Sequence, residues 1–394
     1  MDIIMVPFHD FKKWENEGFR TRDAHLYEHF CNDKMVDRIL VVNRPTSLAE
    51  LIIKREPWYS KKGKIIYKRQ FVCLTQKSEK SYCIDILLPD TIKVAVQKKA
   101  WWFTAFQYKK VANEINAAIE CLRLTNTVLL LQNPMAIGTV KGVKHSKFVF
   151  DAIDNWLFHP QMKDKELIKT NYHYVETHAD LILTVSEALK STFVKASNVQ
   201  WQPNGVDVEY FKQAFNNSEG SDLCVGYVGK IQNRVDFDLV EACLKEVPYA
   251  RFTFLGPVYS QQERVKKLTD TYSNVEFMGD IHYSKLPEKL KNFSVAIIPH
   301  KIDDFTNSMN PLKLYEYLAA GKQVVTTSVA GADGISPFVY IAKDEQEFIN
   351  LIKKVLDIFK SRTTTPQIIA DSIPEECTWS YRTKCILNEI AKLK

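Results

Sequence analysis

Short apolar runs alternate with amphipathic stretches along almost the whole of this chain. Runs at 3–6, 39–42, 85–88, 127–131, 147–150 and 181–185 are brief and nearly uninterrupted. That pattern fits strands buried on both faces, as in parallel sheets. The same grammar restarts with runs at 223–228, 251–255, 275–278, 295–298 and 324–327. Strands alternating with helical patterns predict an α/β protein with parallel sheets. Between the two series, Pro203-Asn-Gly-Val-Asp207 carries an Asn-Gly turn signal, and the polar stretch from Asn216 to Asp222 reads as a linker. At 394 residues the chain exceeds what one core usually supports. The expected division is a first domain at 1–205, a second at 206–375, and a C-terminal helix at 376–394 able to pack back on the first.

The richest local pattern is the stretch 310–322, Asn-Pro-Leu-Lys-Leu-Tyr-Glu-Tyr-Leu-Ala-Ala-Gly-Lys, followed by the run Gln323-Val-Val-Thr-Thr327. It predicts a loop, a short helix and a buried strand. Pro311 suits the first helical turn. Leu312, Tyr315, Leu318 and Ala319 recur at helical spacing and give one apolar face. Gly321 can take the left-handed cap that ends the helix. Lys313 and Glu316, three apart, share a neighbourhood on the surface of that helix. A helix start with a cation one turn in suits a phosphate.

Composition narrows the partners. Net charge is +6, too modest over this length for a general nucleic-acid binder. Cys31, Cys73, Cys83, Cys121, Cys224, Cys243, Cys377 and Cys385 are scattered without a CxxC pair. They read as free thiols of a reducing compartment rather than a disulfide frame or zinc site. The apolar N-terminus is short and lacks a basic leader, and no apolar run approaches the ~20 residues that span a bilayer. A cytoplasmic protein is expected.

Three motifs of the second half form a series with the helix: Asn204-Gly-Val-Asp207 with Phe211, Gly226-Tyr-Val-Gly-Lys230, and Phe254-Leu-Gly256. With that series the chain resembles glycosyltransferases of the GT-B fold, family 4 type. The nearest likeness is to bacterial enzymes that build teichuronic acid, capsule or exopolysaccharide. The resemblance runs from about residue 147 to the C-terminal helix and is weak over the first third. It implies two Rossmann-like domains whose parallel sheets face each other across a cleft. It also implies a nucleotide-diphosphate sugar as donor, bound by the second domain, and a glycan or lipid-linked acceptor on the first. By the same resemblance, Gly229 and Lys230 meet the donor phosphates and Glu316 holds the ribose.

The residue chemistry runs alongside. Gly229 lets the backbone approach a bulky anion. Lys230 adds a point charge, and Arg234 can complete a clamp with a bidentate contact. Lys313 is placed to stabilise charge on the leaving diphosphate. One departure stands out: where the family commonly carries an earlier glutamate, this chain has Ser308, and 305–311 contains no carboxylate. Asn307, Ser308 and Asn310 would then contact the sugar or diphosphate. Val235-Asp-Phe-Asp-Leu239 holds a DxD triplet, read as a helix cap rather than a metal site. Asp303-Asp304 reads as a loop turn. No essential metal and no cofactor beyond the donor are expected.

In the first half, Asp151 and Asp154 flank a strand end, where a carboxylate can take a proton from an acceptor hydroxyl. Asp154 can equally cap a helix stapled by Trp156. His9 and Asp10 follow the first strand, where ligands of parallel sheets bind. Arg20 and Arg22, in Gly18-Phe-Arg-Thr-Arg22, are candidates for an acceptor phosphate, and Ser186 for a helix cap. Basic and aromatic residues interleave at 55–69 and 98–110. Lys98, Lys99, Trp101 and Trp102 in particular suggest docking on an anionic membrane surface. The expected protein is a cytoplasmic glycosyltransferase, peripheral on the inner face of the plasma membrane. Its rivals are a sugar-nucleotide epimerase or hydrolase of the same fold and a catalytically silent nucleotide-sugar-binding scaffold.

Overall fold

Nearly every apolar run becomes a buried strand. The computed structural model describes residues 1–55, 57–160, 162–215 and 222–393, so the expected linker lies, but for Asp222, outside the described residues. The chain divides into two units, Met1–Gln202 with Thr383–Lys394, and Pro203–Arg382.

The first unit holds β1 (Asp2–Val6), β2 (Arg38–Val42), β3 (Thr46–Ser47), β4 (Lys64–Arg69), β5 (Val72–Gln76), β6 (Ser81–Leu88), β7 (Thr127–Leu131), β8 (Lys147–Ala152), β9 (Leu181–Thr184) and β10 (Val199–Trp201). They pair in the order β10-β9-β8-β7-β1-β2-β6-β5-β4, with β3 beside β6. The centre is parallel: Ile3 lies opposite Ile39 on one side and Val128 on the other. Both faces are covered, so Ile3, Ile4, Met5, Leu129, Leu130 and Leu131 are all fully buried. β4 and β5 add an antiparallel edge that the periodicity did not announce. Its outer strand, Lys-Ile-Ile-Tyr-Lys-Arg, is largely exposed and charged, which is how an edge resists pairing with another chain. Part of the basic and aromatic cluster at 55–69 is therefore this strand.

The second unit holds β11 (Cys224–Val228), β12 (Arg251–Leu255), β13 (Val275–Phe277), β14 (Val295–Ile298), β15 (Val324–Thr327) and β16 (Val339–Ala342). All are parallel, in the order β13-β12-β11-β14-β15-β16. Counted within the unit this is the doubly wound order whose ligand crevice opens where the strand order reverses, between β11 and β14. Gly226 on β11 shows why the sheet needs a glycine there: an added Cβ would lie 2.0 Å from the Phe293 ring. Burying a ring of that kind stabilises by about 1.5–3 kcal/mol.

The final helix, Trp379–Lys392, begins in the second unit, while Thr383 onward belongs to the first. There the Lys147 ammonium donates to the Leu393 carbonyl. Among the described residues no helix is long and apolar enough to cross a membrane.

Candidate functional site

The reversal point of the second sheet gathers most of the expected donor residues. The helix Leu312–Ala319 follows the loop after β14, and Gly321 closes it with φ +71° as its sequence requires. Pro311 stands one position earlier than expected, at the N-cap. The helix is also less one-sided than its spacing suggested. Leu314, Tyr315, Tyr317, Leu318 and Ala319 are all buried, and Lys313 and Glu316 are buried with them, at 8% and 6% exposure. A helix covered all round belongs inside a core. Two charges there need a reason.

Lys313 is held from below. Its ammonium donates to the Tyr227 hydroxyl at 2.8 Å and lies 4.0 Å above the Tyr227 ring. Gly229, φ +135°, bends the chain just past β11, and a Cβ there would come within 2.6 Å of the Lys313 Nζ. The Gly229 N–H donates to the Leu255 carbonyl at 2.8 Å, so it serves the turn and is not offered to a phosphate. What Gly229 supplies is space beside the ammonium. Gly256 repeats the device, since a Cβ on it would lie 2.0 Å from the Gly229 carbonyl oxygen. Tyr317, on the same helix as Lys313, accepts the Val228 N–H at 2.6 Å and fixes the end of β11.

Arg234, in the loop after β11, points one guanidinium nitrogen at the Met309 sulfur, 3.8 Å away, a weak acceptor. Its Nε is buried and, among the described residues, has no hydrogen-bond partner. Burial, with the charge of Arg234 behind it, pushes the Lys313 ammonium well below its ordinary value, against the opposing pull of Glu316. Burial likewise drives His300 far down, helped by Lys313 and Arg234, so it is neutral at pH 7. His300 Nε2 lies 3.3 Å from the Tyr227 hydroxyl, whose pKa burial raises to about 12 while Arg234 opposes the shift. Two basic groups and an unpaired buried N–H converge here, an arrangement that a bound anion would complete.

Glu316 accepts the Tyr283 hydroxyl at 3.0 Å, and the Tyr210 ring stacks on Tyr283 with centroids 5.6 Å apart. A carboxylate has several acceptor positions, so one hydroxyl does not exhaust them. Lys230 extends over the Tyr259 ring at 5.6 Å, at the edge of the group.

Ser308 and Asn310 are braces. Ser308 donates to the carbonyls of Asp304 and Phe305, both at 2.9 Å, and is 4% exposed. Asn310 accepts the Asn204 N–H at 2.8 Å, donates to the Tyr315 hydroxyl at 2.9 Å, and its carbonyl accepts from the Asn204 amide at 2.6 Å. The Asn-Gly turn is in turn tied to the chain at Cys377 and Trp379 through Val206. So Asn204 fixes the loop before the Lys313 helix, a link that separated motifs could not reveal. Asp236 caps the helix Phe237–Glu246, accepting from the N–H groups of Asp238 and Leu239, as its sequence suggested. Asp303 accepts the Thr306 N–H at 2.8 Å and closes the loop turn. Among the described residues no three of His, Cys, Asp and Glu come together to hold a metal ion.

The first unit has a pocket of its own, about 430 Å³, lined by Phe8, His9, Asp10, Lys12, Lys13, Arg44, Lys99, Trp102 and Asn133 among others. It lies past β1 and β7, where that sheet also reverses its strand order. His9 Nδ1 is 3.1 Å from Asp23 Oδ2, and Asp23 is fully buried. Burial alone would raise the Asp23 carboxyl, but the charge and hydrogen bonds of His9, with Thr21, bring it down to about 2. Asp10 caps the helix Phe11–Glu17 by accepting the Lys13 N–H at 2.9 Å.

Other expectations for this half are corrected. Arg22 is 4% exposed and grips the buried Asp151 through Nε and Nη2, both at 3.0 Å, while Gln132 donates to the same carboxylate at 2.8 Å. That pair is structural, not a waiting phosphate clamp. Arg20 donates to Glu17 at 3.0 Å. No helix begins at Asp154; a turn follows at residues 156–158, and the next helix is Lys165–His178. Trp156 is buried against Phe8 instead. Ser186 does cap, accepting the Leu189 N–H at 3.2 Å. Trp101 is 1% exposed with its Nε1 on Asp90, and Trp102 lies under the Arg44 guanidinium at 4.4 Å. Trp101 is therefore core rather than a membrane anchor, Trp102 is half-buried against the same core, and Lys98 and Lys99 are exposed.

Comparison with known proteins agrees with this geometry. Residues 223–357 match the family described as Glycosyl transferases group 1. A relative named for glycosyl transfer in teichuronic acid biosynthesis, TuaH of Bacillus subtilis (strain 168), is 28% identical over 207 residues. That match spans 49% of this chain and 52% of the relative, so the chain covers about half the relative's length. Among solved structures, sucrose-phosphate synthase of Thermosynechococcus elongatus superposes with a TM-score of 0.73 at 14% identity, covering 100% of this chain and 99% of that one. HepE of Anabaena, in complex with UDP and glucose, gives 0.65 at 13% identity over 100% of both chains. The chain therefore has the GT-B fold, and its second unit carries a group 1 glycosyltransferase domain.

Proposed function

We propose that the protein moves a sugar from a nucleotide-diphosphate donor to a glycan or lipid-linked acceptor in bacterial surface-polysaccharide synthesis. The observation that carries this reading is the pair of buried charges three residues apart on Leu312–Ala319, with the Arg234 guanidinium beside them and its Nε unpaired. Buried unpaired cations are costly unless an anion joins them. A diphosphate fits Lys313 and Arg234, and the ribose hydroxyls fit Glu316 in place of, or beside, the Tyr283 hydroxyl. The name of TuaH and the UDP and glucose bound to HepE point the same way.

In the reaction the bond from the sugar's anomeric carbon to the diphosphate breaks and a bond to the acceptor oxygen forms. Charge then accumulates on the leaving diphosphate, where Lys313 and Arg234 meet it. Electrostatic stabilisation of this kind is commonly the largest single contribution to catalysis. The acceptor loses a proton. His9 is oriented to take it, because Asp23 fixes the Nδ1 side of a ring that lines the first-unit pocket. A carboxylate on the Nδ1 side holds the ring in place and leaves Nε2 as the nitrogen that can accept a proton. Asp154 lies outside that pocket's lining and is the weaker candidate.

A thermal-shift panel of nucleotide-diphosphate sugars tests the reading. At least one should raise the unfolding temperature, and incubating that donor with acceptor glycans should yield a product whose new anomeric centre is visible by NMR. A panel without any shift would contradict it.

A further inference from the structure

Two short helices of the first unit contribute nothing fully buried to its core. In Leu48–Lys54 and Ile92–Gln97 no residue is buried, and Ile52, Ile53, Ile92 and Val96 are 63%, 80%, 78% and 75% exposed. Single exposed aliphatics are ordinary. Two pairs, on two helices that bury no residue fully, are an unsatisfied surface. The first helix stands at the wall of the first-unit pocket, and the chain just past the second reaches the same pocket. Leu51 and Lys54 of the first line it, as do Lys99 and Trp102 just beyond the second.

Charge identifies what covers them. Exposed Lys54 and Arg55 follow Ile52 and Ile53, and exposed Lys93, Lys98 and Lys99 surround Ile92 and Val96. The nearby acids are already engaged. Glu50 is paired with Arg44 and Lys54, both at 2.7 Å, and Asp90 accepts the Trp101 Nε1–H and the Tyr108 hydroxyl, both at 2.8 Å. The core of a protein–protein interface is depleted of lysine. Aliphatics flanked by lysines instead match a bilayer, where apolar side chains enter the headgroup boundary and ammonium groups meet lipid phosphates.

We infer that Leu48–Lys54 and Ile92–Gln97 form a docking surface for an anionic lipid bilayer, in place of the buried Trp101 and the covered Trp102. It would bring the first-unit pocket to a membrane-borne acceptor, and in that purpose it rests on the proposed transfer reaction. Its physical claim is separable.

Co-sedimentation of the full chain with phosphatidylcholine vesicles, with and without phosphatidylglycerol, provides the test. Binding is expected only with the anionic lipid, weakening as salt rises. Ile53→Ser/Ile92→Ser/Val96→Ser should reduce that partition by roughly ten- to a hundredfold, given the apolar area withdrawn. Lys98→Glu/Lys99→Glu should abolish the preference for phosphatidylglycerol. The same variants must keep the wild-type urea midpoint and nucleotide-induced thermal shift. Unchanged sedimentation of the triple variant overturns the inference, as does absence of wild-type binding. Self-association in light scattering that the triple variant abolishes, without vesicle binding, would assign the surface to a second copy and also overturn it. Vesicle binding that persists while no nucleotide shifts the melting temperature would instead fault the donor reading alone.

Discussion

The two sheets reverse their strand order at comparable places, yet charge is handled there in opposite ways. Past β1 and β7 of the first unit, Arg22 has Asp151, His9 has Asp23, and Asp10 is spent on a helix cap. Past β11 and β14 of the second, Lys313 rests on a neutral tyrosine, Arg234 keeps a buried N–H unpaired among the described residues, and Glu316 accepts the neutral Tyr283 hydroxyl. Satisfied charges hold a fold together; an unbalanced group awaits a ligand. Burial and charge type alone would not separate Arg22 from Lys313. Their partners do.

The comparison can be broken most forcefully at its two buried cations. Arg22→Met strands the Asp151 carboxylate inside the protein and should cost about 3–5 kcal/mol of stability, read from urea unfolding. Lys313→Met should do the reverse. The Lys313 ammonium is held well below its ordinary value, which means the fold disfavours its charge at neutral pH. Removing it should leave the unfolding midpoint unchanged or raised while turnover drops by about 10²–10³. A destabilised Lys313→Met, or a stable Arg22→Met, would erase the distinction.

Smaller effects sharpen it. Tyr227→Phe keeps the ring under Lys313 and removes the hydroxyl, so turnover should fall by about tenfold, the worth of one such hydrogen bond, with little change in stability. Asp236→Ala removes the cap of Phe237–Glu246 and should cost about 1 kcal/mol of stability, read from urea unfolding. Protonation provides a last check. A diphosphate bound at Lys313 favours the charged ammonium, so its depressed value must rise on binding. Nucleotide binding should therefore take up a proton between the free protein's depressed value and that of the complex, and affinity should fall as pH rises through this window. Calorimetry in buffers of different ionisation enthalpy measures the uptake directly. No uptake at any pH would place the phosphates elsewhere.

The unequal legibility of the two halves has the same root. Alternating apolar runs announced the parallel strands because strands buried on both faces are written as continuous apolar residues. β4 and β16, at sheet edges and only partly buried, carry no such signature. At the second site, Gly229, Lys313 and Glu316 were visible because a positive-φ turn and a short helix constrain residue type locally. What stayed hidden was three-dimensional: that Lys313 lies on Tyr227, that Asn310 braces Asn204, and that Gly229 makes room for an ammonium rather than donating its N–H. In the first half, His9 was legible only as a residue after a strand, since its partner Asp23 lies on the next helix but one. Trp101 and Trp102 misled because an aromatic next to lysines reads alike whether it faces lipid or core, and only burial distinguishes them.

The central claim is that Glu316 and its neighbours form a nucleotide-diphosphate site. Calorimetric titration of the intact protein and of Glu316→Ala with UDP, GDP and ADP tests it most directly. At least one nucleotide should bind the wild type, and the variant should bind it roughly ten- to a hundredfold more weakly, the worth of hydrogen bonds to a charged group. Equal affinity in the two proteins, with the variant folded, would contradict the account.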